Sequence, residues 1–192
     1  MTSTGSVDQR TRDTPAKGKL AGPMLWLATA CVATIAGVFY AFAISVMPGL
    51  AKTDDKTFVD TMQNINRAIE NGAFGSAFIG SFIFTGAAAM IENRMGRRAA
   101  ARWILASLLL YVVGVAITMG INIPLNQDLE AAGAPANIAD LAAVRLAFEG
   151  PWNSAHMART VACVLALGCL GRALWLHGRA DRADGLLGSV AK

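Results

Sequence analysis

Two short polar stretches carry the side chains with chemical potential in an otherwise apolar chain: "NIPLNQDL" at residues 122–129 and "PWNSAHMART" at residues 151–160. In the second, Asn153, His156 and Arg159 recur every three residues, so a helix would line them up on one face. The first adds Asn122 and Asn126. A guanidinium beside amide side chains can receive an oxyanion or an enolate where charge develops. The bland alternative is an arginine that snorkels to lipid headgroups, with His156 a polar interfacial residue. Choosing between them requires the elements that hold these residues.

Those elements are long apolar runs. Hydrophobic residues make up 54% of the 192-residue chain and charged residues 16%, with a mean hydropathy of +0.44. Soluble domains usually carry about 25% charged residues. Four runs, at about 24–47, 73–91, 103–121 and 155–176, approach the roughly 20 residues that cross a bilayer as a helix. The first three contain no charged side chain. The first run is longer than a signal-peptide core and three more follow, so it reads as a retained span. The expected fold is all-α: an integral-membrane antiparallel four-helix bundle over residues 23–177. Flexible tails are expected at 1–22 and 178–192, both cytoplasmic. Thr29, Ala33, Gly37 and Ala41 form a small-residue stripe through which span one is expected to pack. Cys31, Cys163 and Cys169 lack CxxC spacing and read as small packing residues.

The net charge of +4 does not indicate nucleic acid, because the cations are segregated. Arg10, Arg12, Lys17 and Lys19 precede span one; Arg94, Arg97, Arg98 and Arg102 separate spans two and three; Arg172, Arg179, Arg182 and Lys192 follow the last. Only Lys52, Lys56, Arg67 and Arg145 fall on the opposite side. The positive-inside rule then places both termini in the cytoplasm of a multi-pass cell-membrane protein, with Trp26, Trp103 and Trp175 as an interfacial belt. Both outer loops carry amphipathic helices. In loop one Phe58, Met62, Ile65 and Ile69 step at helical intervals. In loop three a helix is expected from an Asn137 cap to a stop at Gly150-Pro151. Pro124 is expected to follow the end of span three, with Asn122 capping it.

On this topology Asn122, Asn126, Trp152, Asn153, His156 and Arg159 converge on one outer mouth. Arg159 sits roughly 6 Å below the entry point at about 1.5 Å per residue. A charge at that depth must be paired, snorkel or face water. No span offers an acid, so Asp128, Glu130, Asp140 and Glu149 of loop three are the available partners. One pocket is expected, bordered by His156, Arg159, Asn122 and Asn126 and capped by the loop-one helix with Gln63, Asn64 and Asn66.

With "AGVFYAF", "VMPGL", "MQNIN", "NIPLN" and "HMART" in this order, the chain resembles the DUF1772 family of small four-helix membrane proteins, which includes anthrone oxygenases. The resemblance covers nearly all of residues 24–176. In that pattern an Asn often stands three residues before the Arg-Thr, where this chain has His156. The resemblance implies oxidation of an electron-rich polycyclic aromatic by dioxygen, as in anthrone to anthraquinone. His156 would then be the base that takes the acidic C–H proton. Arg159, Asn122 and Asn126 would hold the oxyanion, and Trp152 would stack on the flat substrate beside Asn153. Dioxygen would be the co-substrate. One histidine with Met157 and Met119 falls short of a metal-ligand set, so no metal is assigned, and a flavin or metal requirement is left open. The competing reading is a non-enzymatic membrane subunit or envelope component, which needs only the bundle and the lipid around it.

Overall fold

The computed structural model describes residues 14–190. Four helices are long and apolar enough to cross a membrane, and among the described residues there is no strand. They are α1 (Thr14–Ala41) with its continuation α2 (Met47–Leu50), α4 (Gly72–Arg94), α5 (Arg98–Ile117) continuing into α6 (Ile123–Ala131), and α7 (Leu141–Val190). The surface helix α3 (Asp55–Ile69) joins α2 to α4. The four long helices form an up-down-up-down ring in which each packs on two neighbours, α1 on α4 and α7, α5 on α4 and α7. The bundle expected from the sequence is therefore the fold.

Its surface is that of a protein embedded in lipid. Ile79, Ile83, Leu109, Val113, Val161 and Leu165 lie mid-span and exposed, where a soluble bundle would carry charge. The interior is a narrow seam of Leu25, Ala28, Val32, Ile35, Ala36 and Phe39 on α1 against Ala88, Ile104, Tyr111, Cys163, Ala166 and Leu170. Tyr111 satisfies its hydroxyl by donating to the Phe78 carbonyl at 2.9 Å, as a donor shielded from water must.

The small-residue stripe of span one is not the packing face. Gly37 and Ala41 are exposed, and a side chain at Gly37 would meet nothing. A strict four-residue step overshoots the 3.6-residue turn and rotates away from any partner, whereas Ala28, Val32, Ile35 and Phe39 keep the helical period. Close approach is made instead at Gly80, where a Cβ would lie 3.0 Å from Cys31 Sγ, and at Gly114, where it would lie 3.1 Å from Cys163 Sγ. The cysteines are free and fill those notches.

The element boundaries differ from expectation at three prolines, Pro48, Pro124 and Pro151. Pro48 and Pro124 do not stop their helices. Each follows a π-helical turn, Phe42–Val46 and Thr118–Asn122, closed by Met47 N–H donating to Phe42 O and Ile123 N–H to Thr118 O. A proline has no N–H and crowds the carbonyl one turn back; the wider turn accommodates both faults and the helix continues. Likewise Gly150-Pro151 does not end a loop helix. The segment from Leu141 runs through Pro151 into span four as one helix, capped by Asp140, which accepts from Ala143 N–H at 2.9 Å, and not by Asn137. Burial of Phe148 and Trp152 holds this junction in line. The tail expected at 178–192 continues α7 to Val190, and the tail expected at 1–22 is helical from Thr14, residues 1–13 lying outside the described residues.

A second core caps the bundle end opposite the termini, hereafter the mouth. Phe58, Val59 and Met62 of α3 pack with Met47, Leu50, Leu129, Phe148 and Trp152. Asp54 starts α3 by accepting from Thr57 N–H at 3.0 Å, which lowers its pKa below the ordinary carboxylate value. Arg145 staples the cap, donating to Thr53 O at 2.9 Å, Asp55 at 3.0 Å and Glu149 at 2.7 Å, with its guanidinium over the Phe58 ring.

Candidate functional site: a buried arginine at the bundle mouth

The two π turns flank the mouth, and both contribute to the site. Phe42 opens the first and tilts against the His156 ring. Thr118 opens the second and is met by Arg159. α7 supplies Trp152, His156 and Arg159 from one face.

Arg159 is buried and does not snorkel. Its Nε and Nη2 donate to His156 Nδ1 at 3.1 and 2.9 Å, and its Nη1 donates to Thr118 Oγ1 at 3.2 Å. The guanidinium carbon lies 4.2 Å from the Phe39 ring centroid and 5.3 Å from that of Trp152. Every one of these partners is neutral. The four acids that the sequence offered are elsewhere: Glu130 pairs with Arg67 at 2.7 Å, Glu149 with Arg145, Asp140 caps α7, and Asp128 is exposed. A guanidinium has five N–H donors. Three are used here, so charge and donor capacity both remain for something that enters.

His156 is fixed in a single tautomer by its neighbours. Its Nε2 lies 2.9 Å from Phe39 O, which can only accept, so Nε2 carries the proton. Nδ1 therefore holds the lone pair, and Arg159 occupies it. The expectation that His156 is the base is not supported by this geometry: no lone pair is free to take a proton. What the imidazole does is aim the guanidinium.

Beside these groups is a cavity of about 380 Å³, lined by Arg159, His156, Thr118, Asn126, Asn66, Glu70 and Asn71 among the aromatic and aliphatic side chains of Phe39, Phe42, Phe74, Ile65 and Ile69. A mostly apolar wall with a few converging polar groups is the usual form of a small-molecule site. The predicted residues divide. His156, Arg159, Asn126, Trp152 and Asn66 reach the cavity. Asn122 does not. It is buried and donates to Trp152 O at 3.2 Å, the π turn having changed its phase relative to Thr118 and Asn126. Gln63 is a brace, donating to Leu129 O and Gly133 O, both at 2.9 Å. Asn64 is exposed and accepts from Arg67. Asn153 lies on the other side of His156, beside Met47 and Pro48. Trp152 lines the wall but offers no open face: His156 stacks on it at 4.6 Å and Phe148 at 5.8 Å, and its indole N–H donates to Asn126 Oδ1 at 2.8 Å. Stacking of Trp152 on a substrate is thereby blocked.

Three polar wall residues were missed from sequence. Thr118 stands four residues before Asn122, a signal that could have been read. Glu70 and Asn71 end one helix and cap the next, where Asn71 Oδ1 accepts from Phe74 N–H at 3.0 Å. Nothing local distinguishes such a junction from any surface turn.

An all-helical, multi-pass membrane bundle with a mostly apolar cavity and a buried arginine at one end defines the class. The family model described as anthrone oxygenase matches residues 67–169, just over half of the chain and the stretch that carries Glu70, Thr118, Asn126, His156 and Arg159. The chain belongs to the anthrone oxygenase family. Comparison with curated proteins and with solved structures gives no match.

Proposed function

We propose that the protein is a membrane-embedded oxygenase that binds an electron-rich, polycyclic phenol or enol as its oxyanion against Arg159 and oxidises it with dioxygen. The observation that carries this reading is the buried guanidinium on a cavity wall with no carboxylate partner. Burying an unpaired charge is costly, and a purely structural subunit gains nothing from it. An anionic ligand supplies the missing charge and takes the two spare N–H donors.

An anthrone-like substrate fits the chemistry. Loss of a proton from its methylene delocalises charge onto the ring oxygen, the atom that Arg159 would hold. The electron-rich carbon then gives electrons to dioxygen. The methylene becomes a carbonyl, one oxygen atom enters the product, and the other leaves as water with the two methylene hydrogens: R₂CH₂ + O₂ → R₂C=O + H₂O. Phe39, Phe42 and Phe74 supply the apolar surroundings in which the guanidinium's field is strong. A flat apolar substrate partitions into the bilayer and reaches the mouth from there. The test is oxygen uptake by protein in nanodiscs with anthrone, expected at one O₂ per quinone formed. No uptake, or an Arg159→Met rate equal to wild type, overturns the assignment.

We further propose that both termini are cytoplasmic and the mouth external. Exposed Trp26, Trp103 and Trp175 and the arginines of the α4–α5 turn support this orientation. Reporter fusions at Gly96 and Ala134 should read cytoplasmic and external; the opposite signals would invert it.

A further inference from the structure

We propose that Glu70 is the proton acceptor of this reaction, taking the methylene proton while Arg159 holds the oxyanion. The inference rests on the oxygenase reading above and names the base that reading lacks. Removal of a C–H proton needs a free lone pair at the cavity, and the obvious candidate is spent. His156 Nδ1 receives two guanidinium bonds, and its Nε2 proton is given to Phe39 O. Of the other polar wall residues, Thr118, Asn66, Asn71 and Asn126 are not bases at neutral pH and Arg159 is a cation. Glu70 is the one carboxylate on the wall, and among the described residues it makes no ion pair.

Its placement suits the task. Glu70 stands just past the last residue of α3, four residues after Asn66, and both reach the cavity beside Ile65 and Ile69. Asn66 Nδ2 is buried without a hydrogen-bond partner, a donor left open on the same wall. Glu70 itself is exposed at the end of α3, so a proton it accepts can be passed to water. The carboxylate is presented from the α3–α4 corner and the guanidinium from α7. In an anthrone the methylene and the carbonyl lie across the central ring from each other. A base and an oxyanion donor must therefore come from different segments of the cavity lining, as the α3–α4 corner and α7 are. Proton balance is simple: the methylene C–H breaks, its electron pair enters the ring system, and the proton goes to a Glu70 carboxylate oxygen.

The test uses full-length wild type, Glu70→Gln and Glu70→Asp in nanodiscs, with oxygen uptake on anthrone from pH 6 to 9 and quinone-product binding measured separately. Glu70→Gln should lower kcat by roughly 100-fold at neutral pH, the usual worth of a positioned base. KM and product binding should stay near wild type, and the residual rate should climb with pH as hydroxide replaces the missing carboxylate. Glu70→Asp should recover part of kcat. If wild type oxidises anthrone, Arg159→Met does not, and Glu70→Gln keeps the wild-type rate and pH profile, Glu70 is removed and the oxygenase reading stands. If wild type consumes no oxygen, both fall.

Discussion

Each end of the bundle buries a histidine beside an arginine, and the two pairs are built in opposite ways. At the mouth, His156 and Arg159 have neutral partners only. At the end that carries the termini, His177 Nδ1 meets buried Glu92 at 2.6 Å and its Nε2 meets Asp181 at 3.1 Å. Arg97 there bonds Asp181 and, at 2.7 Å, Asp184. Burial draws the Arg97 pKa down, but the hydrogen bonds with Asp184 and Asp181 and the charge of Glu92 carry it above its ordinary value. Three carboxylates surround the cation at that end and make a clamp tying the α4–α5 turn to the end of α7, with one Glu92 oxygen left without a hydrogen-bond partner. The mouth keeps a cation unsatisfied beside open volume. The same residue types thus make a fastening where carboxylates bond the cation and a receptor where none does.

Removing the mouth cation should have the largest effect. Arg159→Met should cut kcat/KM on anthrone by at least about 100-fold, the scale of losing a preorganised oxyanion donor, with the melting temperature unchanged or raised because an unpaired buried charge is gone. A variant that is inactive because it is unfolded would break the contrast with the clamp. At the other end, Glu92→Leu should lower stability by about 3 kcal/mol, the scale of stripping one partner from a buried pair, while turnover in the folded fraction stays at the wild-type level. Chemical denaturation in detergent and oxygen uptake separate the two effects.

A smaller effect distinguishes aiming from proton transfer. His156→Ala should cost less than about 100-fold, the scale of a 1 Å misplacement. His156→Asn should recover most of it, because an amide oxygen can accept the guanidinium bonds but cannot act as a base. Equal, near-complete loss in both variants would restore His156 as the base. The smallest effect concerns the lid over the mouth. The Asp54 pKa lies below its ordinary value in the fold, so its cap is complete above the usual carboxylate range. The stabilisation is lost as pH falls through the lowered folded value. Hydrogen exchange at the Thr57 and Phe58 amides should accelerate there, while exchange in mid-span amides does not.

The spans were legible because lipid imposes one local rule: every backbone group must be bonded within the segment, and the segment must be apolar and about 20 residues long. The amphipathic period of α3 was legible for a similar reason, with Phe58 and Met62 buried and Ile65 and Ile69 on the cavity wall. The Arg159, His156 and Asn126 neighbourhood was legible from topology alone, since alternate span ends must meet. What sequence spacing misplaced depended on phase. Gly37 kept a step of four and turned to lipid. Asn122 lay one π turn from Thr118 and turned to the α7 backbone. Pro124 and Pro151 read as stops, and span one was bounded just before Pro48, because whether a wider turn or a buried Phe148 will carry a helix past a proline is settled by neighbours.

By itself, then, the sequence determined that this chain has four segments long and apolar enough to cross a membrane and brings a cation and amides to one end, because hydrophobic length and the order of segments are properties of the chain. The tertiary structure alone decided that Arg159 has no acid, that His156 has no free lone pair, that Trp152 has no open face and that Glu70 reaches the wall. Each of those depends on which atoms occupy a lone pair, a ring face or a donor across a distance of three or four ångströms, and only packed helices set such distances.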